Sequence, residues 1–202
     1  MTALKISVVN QKGGVGKTTT AVNLGAALAM KGHSVLLVDM DPQSNLTTHL
    51  GLGEKIDSDL SESLEKPPVP EFTVYDVLKG QKKISDVIIN RSKGLDVVPA
   101  SLFLSAADLE LGGVIGRELI LKRALSEISD RYEYIVIDCP PALGLLSINA
   151  LAAVEMVVVP VQSEYLALHG VRQLLDTIEP VSYTHLRAHE TKANLVCRLL
   201  LE

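Results

Sequence analysis

The chain has 202 residues, 47% hydrophobic and 21% charged, with a formal net charge of −5. That is enough for one sizeable soluble core, and the acidic balance excludes attraction of the whole molecule to nucleic acid or an anionic membrane. With two cysteines, Cys139 and Cys197, and only 3% aromatics, the composition predicts an aliphatic core in a reducing, cytoplasmic setting rather than a disulfide framework.

In chain order, Leu4 to Val9 is an apolar strand-like run that starts almost at once, with no signal-peptide pattern. The glycine-rich stretch Gln11 to Thr19 follows, and then a helix-like run from Thr20 to Lys31 with Ala21, Leu24 and Leu28 on one face and Gly32 as its stop. Val35 to Val38 is a continuous apolar run, as expected for a strand covered on both faces, and it ends at Asp39-Met40-Asp41-Pro42-Gln43. Strand, helix and strand in so short a span predict a βαβ unit and a parallel sheet.

Gly51 to Phe72 is acidic and then proline-rich, and is expected to be an exposed loop. Thr73 to Leu78 predicts a short helix stopped by Gly80, and Gly94 to Pro99 a strand. Ser105 is expected to cap a brief helix through Leu111. Arg117 to Asp130 has amphipathic helical spacing. Tyr134 to Asp138 predicts a buried strand ending in an acid, Leu145 to Ala153 a helix, Val157 to Val159 a strand and Leu166 to Ile178 a helix. The longest apolar stretch, Ile148 to Val161, is too short and too interrupted to span a bilayer. The alternation predicts an α/β three-layer sandwich with a mostly parallel sheet.

Lys12-Gly13-Gly14-Val15-Gly16-Lys17-Thr18-Thr19, between a strand and a helix, is a phosphate cradle by its chemistry. Glycines let backbone N–H groups approach phosphate oxygens at the positive end of the following helix. Val15 completes the turn. Lys17 is placed to neutralise the β- and γ-phosphates of a nucleotide triphosphate, Thr18 to ligate Mg²⁺, and Thr19 to reach the α-phosphate. In the P-loop template, Gly-x-x-x-x-Gly-Lys-Ser/Thr, the first glycine falls on Gln11 and is missing. In addition, Lys12 brings a second cation that one bound nucleotide does not need.

This stretch resembles the deviant Walker A P-loop ATPases of the ParA/MinD group. The resemblance implies that Lys12 reaches across an ATP-sandwich homodimer to the partner's nucleotide. Asp39 to Gln43 resembles the first switch of that family, which implies that Asp41 helps position the attacking water near Mg²⁺. Ile135 to Pro141 resembles its Walker B strand, which implies that Asp138 holds a Mg²⁺-bound water; Gly144 takes the position of the second switch. Catalysis is therefore expected from Lys12, Lys17 and Asp41, and metal binding from Thr18, Asp41 and Asp138. In iron-protein relatives of this superfamily cysteines bridge a cluster, but Cys139 has no such partner here and is expected to be a small core residue.

Pro160 to Gly170 and Thr73 to Leu78 look like the Soj/ParA branch. The resemblance, over residues 2 to about 181, implies a Mg-ATP-dependent dimerising switch for chromosome or plasmid partitioning that hydrolyses ATP to ADP and phosphate. It also implies non-specific DNA binding by the full-length protein, a ParB-like centromere-binding partner, and a cytoplasmic protein that joins the nucleoid when ATP-bound. The alternatives are a MinD-type membrane-cycling ATPase, a P-loop transferase forming an acyl phosphate, and a non-catalytic fragment.

Residues 1–181 are expected to form the ATPase domain, incomplete at its C-terminal end. Residues 182–202 are expected to be a non-native tail, because the α/β alternation fails after Val181. His185 and His189 lack the rest of a zinc-protease helix. Leu195 to Leu201 has no clear polar face for membrane binding, and no membrane partner is expected.

Overall fold

A computed structural model describes residues 2–53 and 70–162. Its elements run β1 (Leu4–Val8), α1 (Lys17–Met30), β2 (Val35–Asp39), α2 (Asn45–His49), α3 (Val74–Leu78), β3 (Ile89–Ser92), β4 (Leu95–Val98), α4 (Ala107–Glu110), α5 (Ile120–Ser126), β5 (Tyr134–Asp138), α6 (Leu145–Ala153) and β6 (Met156–Val158). The helix expected at Leu166 to Ile178, the tail 182–202 and most of the acidic loop lie outside the described residues.

The sheet has six strands in the order β3-β4-β2-β5-β1-β6. All its pairings are parallel except β3 with β4, an antiparallel edge hairpin. Alternate residues of β2 point to opposite faces, so each face builds its own core. Leu36 and Val38 join Ile135, Ile137, Leu78, Leu121, Leu125 and Ala150 on the face covered by α3, α5 and α6. Val35 and Leu37 join Val8, Ala21, Val97 and Val136 on the face covered by α1 and α2, with Leu24 and Leu28 packed against them. These are the three layers of an α/β sandwich.

Two polar devices fix the outer helices. Thr73 caps α3 in a reciprocal capping box with Asp76. Buried Asn149 of α6 accepts the Leu121 N–H at 3.1 Å and donates to the carbonyls of Arg117 and Leu145 at 2.9 and 3.0 Å, tying α6 to the start of α5.

The close approach of α1 to β2 depends on Gly25. A Cβ there would stand 2.5 Å from Leu37 Cδ2 and 3.1 Å from its Cγ. Gly25→Val is expected to lower stability by about 1–3 kcal/mol through overpacking. Gly25→Ala should cost less, because it recovers about 1 kcal/mol of helix propensity. Urea unfolding midpoints measure both.

Several expectations are corrected. Ser105 caps no helix: its hydroxyl donates to the Leu102 carbonyl at 2.7 Å within a 3-10 turn, Leu102–Ala106, and α4 starts only at Ala107 without a side-chain cap. The helix over Arg117 to Asp130 is a 3-10 turn, Arg117–Leu119, and then only the seven residues of α5. The first helix starts at Lys17, three residues earlier than the apolar pattern indicates, because Gly16 supplies its N-cap. Strand β3 was not expected; three of its four residues are polar and exposed, so it carries no apolar alternation.

Candidate nucleotide-binding site

The loop 9–16 leaves β1 and turns directly into α1. Gly14 (φ +73°) and Gly16 (φ +86°) stand in the left-handed region, where a side chain would strain the backbone. A Cβ on Gly13, Gly14 or Gly16 would meet no atom within 4 Å, so the cradle is open. Helix α1 has no acidic residue in its first turn and no side-chain cap, so neither its own first turn nor its N-cap supplies an anionic partner for its N–H groups. An anion fits this end of the helix.

Asn10 braces the loop. Its Nδ2 donates to the Pro160 carbonyl at 2.7 Å, and its Oδ1 accepts the Lys12 N–H at 2.9 Å. Lys12 lies at the exposed rim, with Nζ donating to Gln162 Oε1 at 2.8 Å. Lys17 is only 8% exposed, and its Nζ donates to the Lys12 carbonyl at 3.2 Å. Thr18 and Thr19 stand in the first turn of α1. The Thr19 side chain is exposed, and its carbonyl accepts from Asn23.

Opposite the cradle, Asp39 ends β2 and Asp138 ends β5 in direct register. Both are fully buried. Asp138 lies alongside the Thr18 hydroxyl, yet neither carboxylate oxygen has a hydrogen bond of ordinary geometry among the described residues. Burial pushes its pKa up to about 7; Asp39 and Asp41 add to the rise, while Thr18 and Lys17 oppose it. Burial likewise raises Asp39 to about 6, against hydrogen bonds from Thr47 and the Asp41 N–H. Asp41 is buried, and its Oδ1 accepts the Gln43 N–H at 2.9 Å.

Lys17, Thr18, Asp41 and Asp138 thus share one electrostatic neighbourhood, with Lys12 at its rim. Among the described residues, no group of three or more His, Cys, Asp or Glu is spaced to hold a metal. A small divalent cation here would draw ligands from Thr18, a carboxylate, phosphate oxygens and water, the usual Mg²⁺ pattern. An unbonded buried carboxylate beside an open, N–H-lined cradle fits such a group.

Asn10, Gln162 and Asp39 were not picked out from the sequence. Asp39 carried a signal, as one of two acids in Asp-x-Asp at a strand end, but only the register pairs it with Asp138. Gly144 begins α6, and a Cβ there would stand 2.9 Å from Asp108 Oδ2. Cys139 is a free, fully buried core residue whose thiol burial pushes up. A separate cavity of about 740 Å³, lined by Ser44, Thr47, Leu52 and Phe103 among others, includes none of Gly13 to Thr19, Asp41 or Asp138.

The two raised acids make stability depend on pH. In the unfolded chain both titrate near about 4, so between there and about 6 (Asp39) and about 7 (Asp138) only the folded state holds the protons. The stabilisation they contribute is full below about pH 4 and is lost as pH rises through those values. The urea midpoint of the nucleotide-free chain should therefore fall between mildly acidic and neutral pH, and Asp138→Asn should flatten the upper part of that fall.

The chain matches the AAA_31 family, an AAA domain, over residues 3–191. It is 51% identical over 177 residues to the sporulation initiation inhibitor protein Soj of Bacillus subtilis, covering 87% of this chain and 65% of that one. It is 45% identical over 179 residues to the chromosome partitioning protein ParA of Caulobacter vibrioides, covering 87% and 62%. The chain therefore spans a little under two thirds of the length of these relatives. Among solved structures, a cobyrinic acid a,c-diamide synthase of Mycobacterium smegmatis with a bound ATP analogue and magnesium is 40% identical. It superimposes with a TM-score of 0.79 over 91% of this chain and 70% of that one. No helix among the described residues is long and apolar enough to cross a membrane. By its deviant P-loop, its sheet order and these matches, the chain belongs to the ParA-like AAA-domain family.

Proposed function

We propose that this chain is the nucleotide-binding part of an ATP-driven switch for chromosome or plasmid partitioning. The observation that carries the reading is the buried, unbonded Asp138 carboxylate facing Lys17 and Thr18 beside an open glycine cradle. The name of the Caulobacter relative and the ligands of the mycobacterial structure support it.

In this reading Gly13, Gly14, Val15 and Gly16 present N–H groups to the phosphates, and Lys17 leaves the Lys12 carbonyl to neutralise the β- and γ-oxygens. Thr19 reaches the α-phosphate. Thr18, Asp41 and Asp138 would hold Mg²⁺ directly or through water, and the ion, when bound, would offset the phosphate charge. Asp41 orients the water that attacks the γ-phosphate, and ADP and phosphate leave. Catalysis is by positioning and charge. Lys12 reaches the nucleotide of a second copy, so ATP drives dimerisation. The dimer of the longer protein binds DNA non-specifically in the cytoplasm, at the nucleoid, and a ParB-like partner stimulates hydrolysis. Residues 1–181 form the ATPase domain, and 182–202 are a non-native tail.

Titration calorimetry with ATP and Mg²⁺, followed by phosphate release and DNA co-sedimentation of the full-length protein, tests this. Absence of nucleotide binding by the 202-residue chain would instead support an inert fragment. The name of the mycobacterial neighbour suggests a synthase as a second reading. ATP turnover seen only with a carboxylic acid and an amide donor would favour it.

A further inference from the structure

Asp39 is left over once the site roles fall on Asp41 and Asp138. It is fully buried at the end of β2, a strand whose other residues are all apolar. A buried carboxylate is costly unless donors converge on it, and here three do. Oδ2 accepts both the N–H of Thr47 at 2.9 Å and its hydroxyl at 2.7 Å. Oδ1 accepts the N–H of Asp41 at 3.1 Å.

Thr47, itself 2% exposed in α2, is also held from the other side. Its Oγ1 accepts the Ala100 N–H at 3.0 Å. That bond takes a lone pair of the hydroxyl and leaves its single proton for Asp39. A continuous chain of bonds therefore runs from the segment after β4, through α2, to the backbone of Asp41. The Asp41 carboxylate continues it by accepting the Gln43 N–H.

We infer that Asp39 is a positioning residue: acting through the Asp41 N–H and through Thr47, it fixes where the Asp41 carboxylate stands relative to Lys17 and Asp138. The inference rests on the nucleotide-site reading for its catalytic consequence but not for its structural one. An acid is needed at position 39 because three donors meet there. An asparagine has one acceptor oxygen and would turn an NH₂ towards at least one of them.

The test uses Thr47→Val, which keeps the shape and removes the hydroxyl, with Thr47→Ser as the conservative rescue and Asp39→Asn as the second probe. In the nucleotide-free chain, Thr47→Val and Asp39→Asn should shift the amide resonances of Asp41 and Gln43 and speed exchange of the Asp41 N–H by roughly tenfold or more. Thr47→Ser should do neither. Under steady-state hydrolysis, Thr47→Val should lower kcat by roughly ten- to a hundredfold with KM within about threefold, as expected for misplacement of a catalytic group. Unchanged Asp41 and Gln43 amides in both Thr47→Val and Asp39→Asn would overturn the inference. So would a fall in kcat that only follows the folded fraction, or an equal loss in Thr47→Ser. If the unmodified chain binds no nucleotide, the site reading fails while the amide measurement still decides the role of Asp39.

Discussion

Lys17→Ala is expected to abolish measurable binding of Mg-ATP. The side chain is nearly buried inside the loop, with Nζ resting 3.2 Å from the Lys12 carbonyl. It can exchange that neutral acceptor for phosphate oxygens without crossing solvent. Removing one partner of a buried, hydrogen-bonded charge pair costs about 2–5 kcal/mol, roughly thirtyfold or more in Kd. The substitution also removes the nearby cation that works against the raised pKa of Asp138. The variant should therefore show a steeper loss of stability towards neutral pH than the unmodified chain. Titration calorimetry measures the first effect and urea unfolding at two pH values the second. Binding retained within about threefold would remove Lys17 from its proposed role.

Lys12→Ala should separate binding from assembly. Lys12 is at the exposed rim, and its side chain bonds Gln162. The Lys12 N–H that Asn10 holds is a backbone group and survives the substitution. Nucleotide affinity should therefore change by only a few-fold, the effect of a more distant and better hydrated cation. Dimer formation with a slowly hydrolysed ATP analogue should be lost, because the cation that would cross to the second nucleotide is gone. Light scattering coupled to size exclusion reads the result. A variant that still dimerises fully with the analogue would show that the sandwich arrangement is wrong.

The apolar runs at β2 and β5 were legible as strands because they are buried on both faces, which leaves no polar alternation to confuse the pattern, and β1 was legible with Leu4, Ile6 and Val8 alternating with Lys5 and Ser7. Helix α6 was legible to the residue, since Gly144 and Val154 bound a mostly apolar segment whose polar residues are Ser147 and Asn149. Edge strand β3 was not, because Asn90, Arg91 and Ser92 look like a loop until β4 pairs with Ile89, Asn90 and Ser92. Ser105 illustrates the opposite failure. A good capping residue was present, but its hydroxyl bonded backward to Leu102.

What the sequence determined by itself is the cradle, from Lys12 to Thr19. Glycine spacing, a lysine and two threonines at the start of a helix form a contiguous device whose geometry follows from local backbone preferences. Only the tertiary structure decided what faces it. Parallel register across β1, β5 and β2 brings Asp138 level with Val8 and Asp39. The turn after β2 brings Thr47 back onto Asp39, eight residues on. Those meetings depend on strand order and on a buried carboxylate collecting every donor within reach, and neither is written in the spacing of residues along the chain.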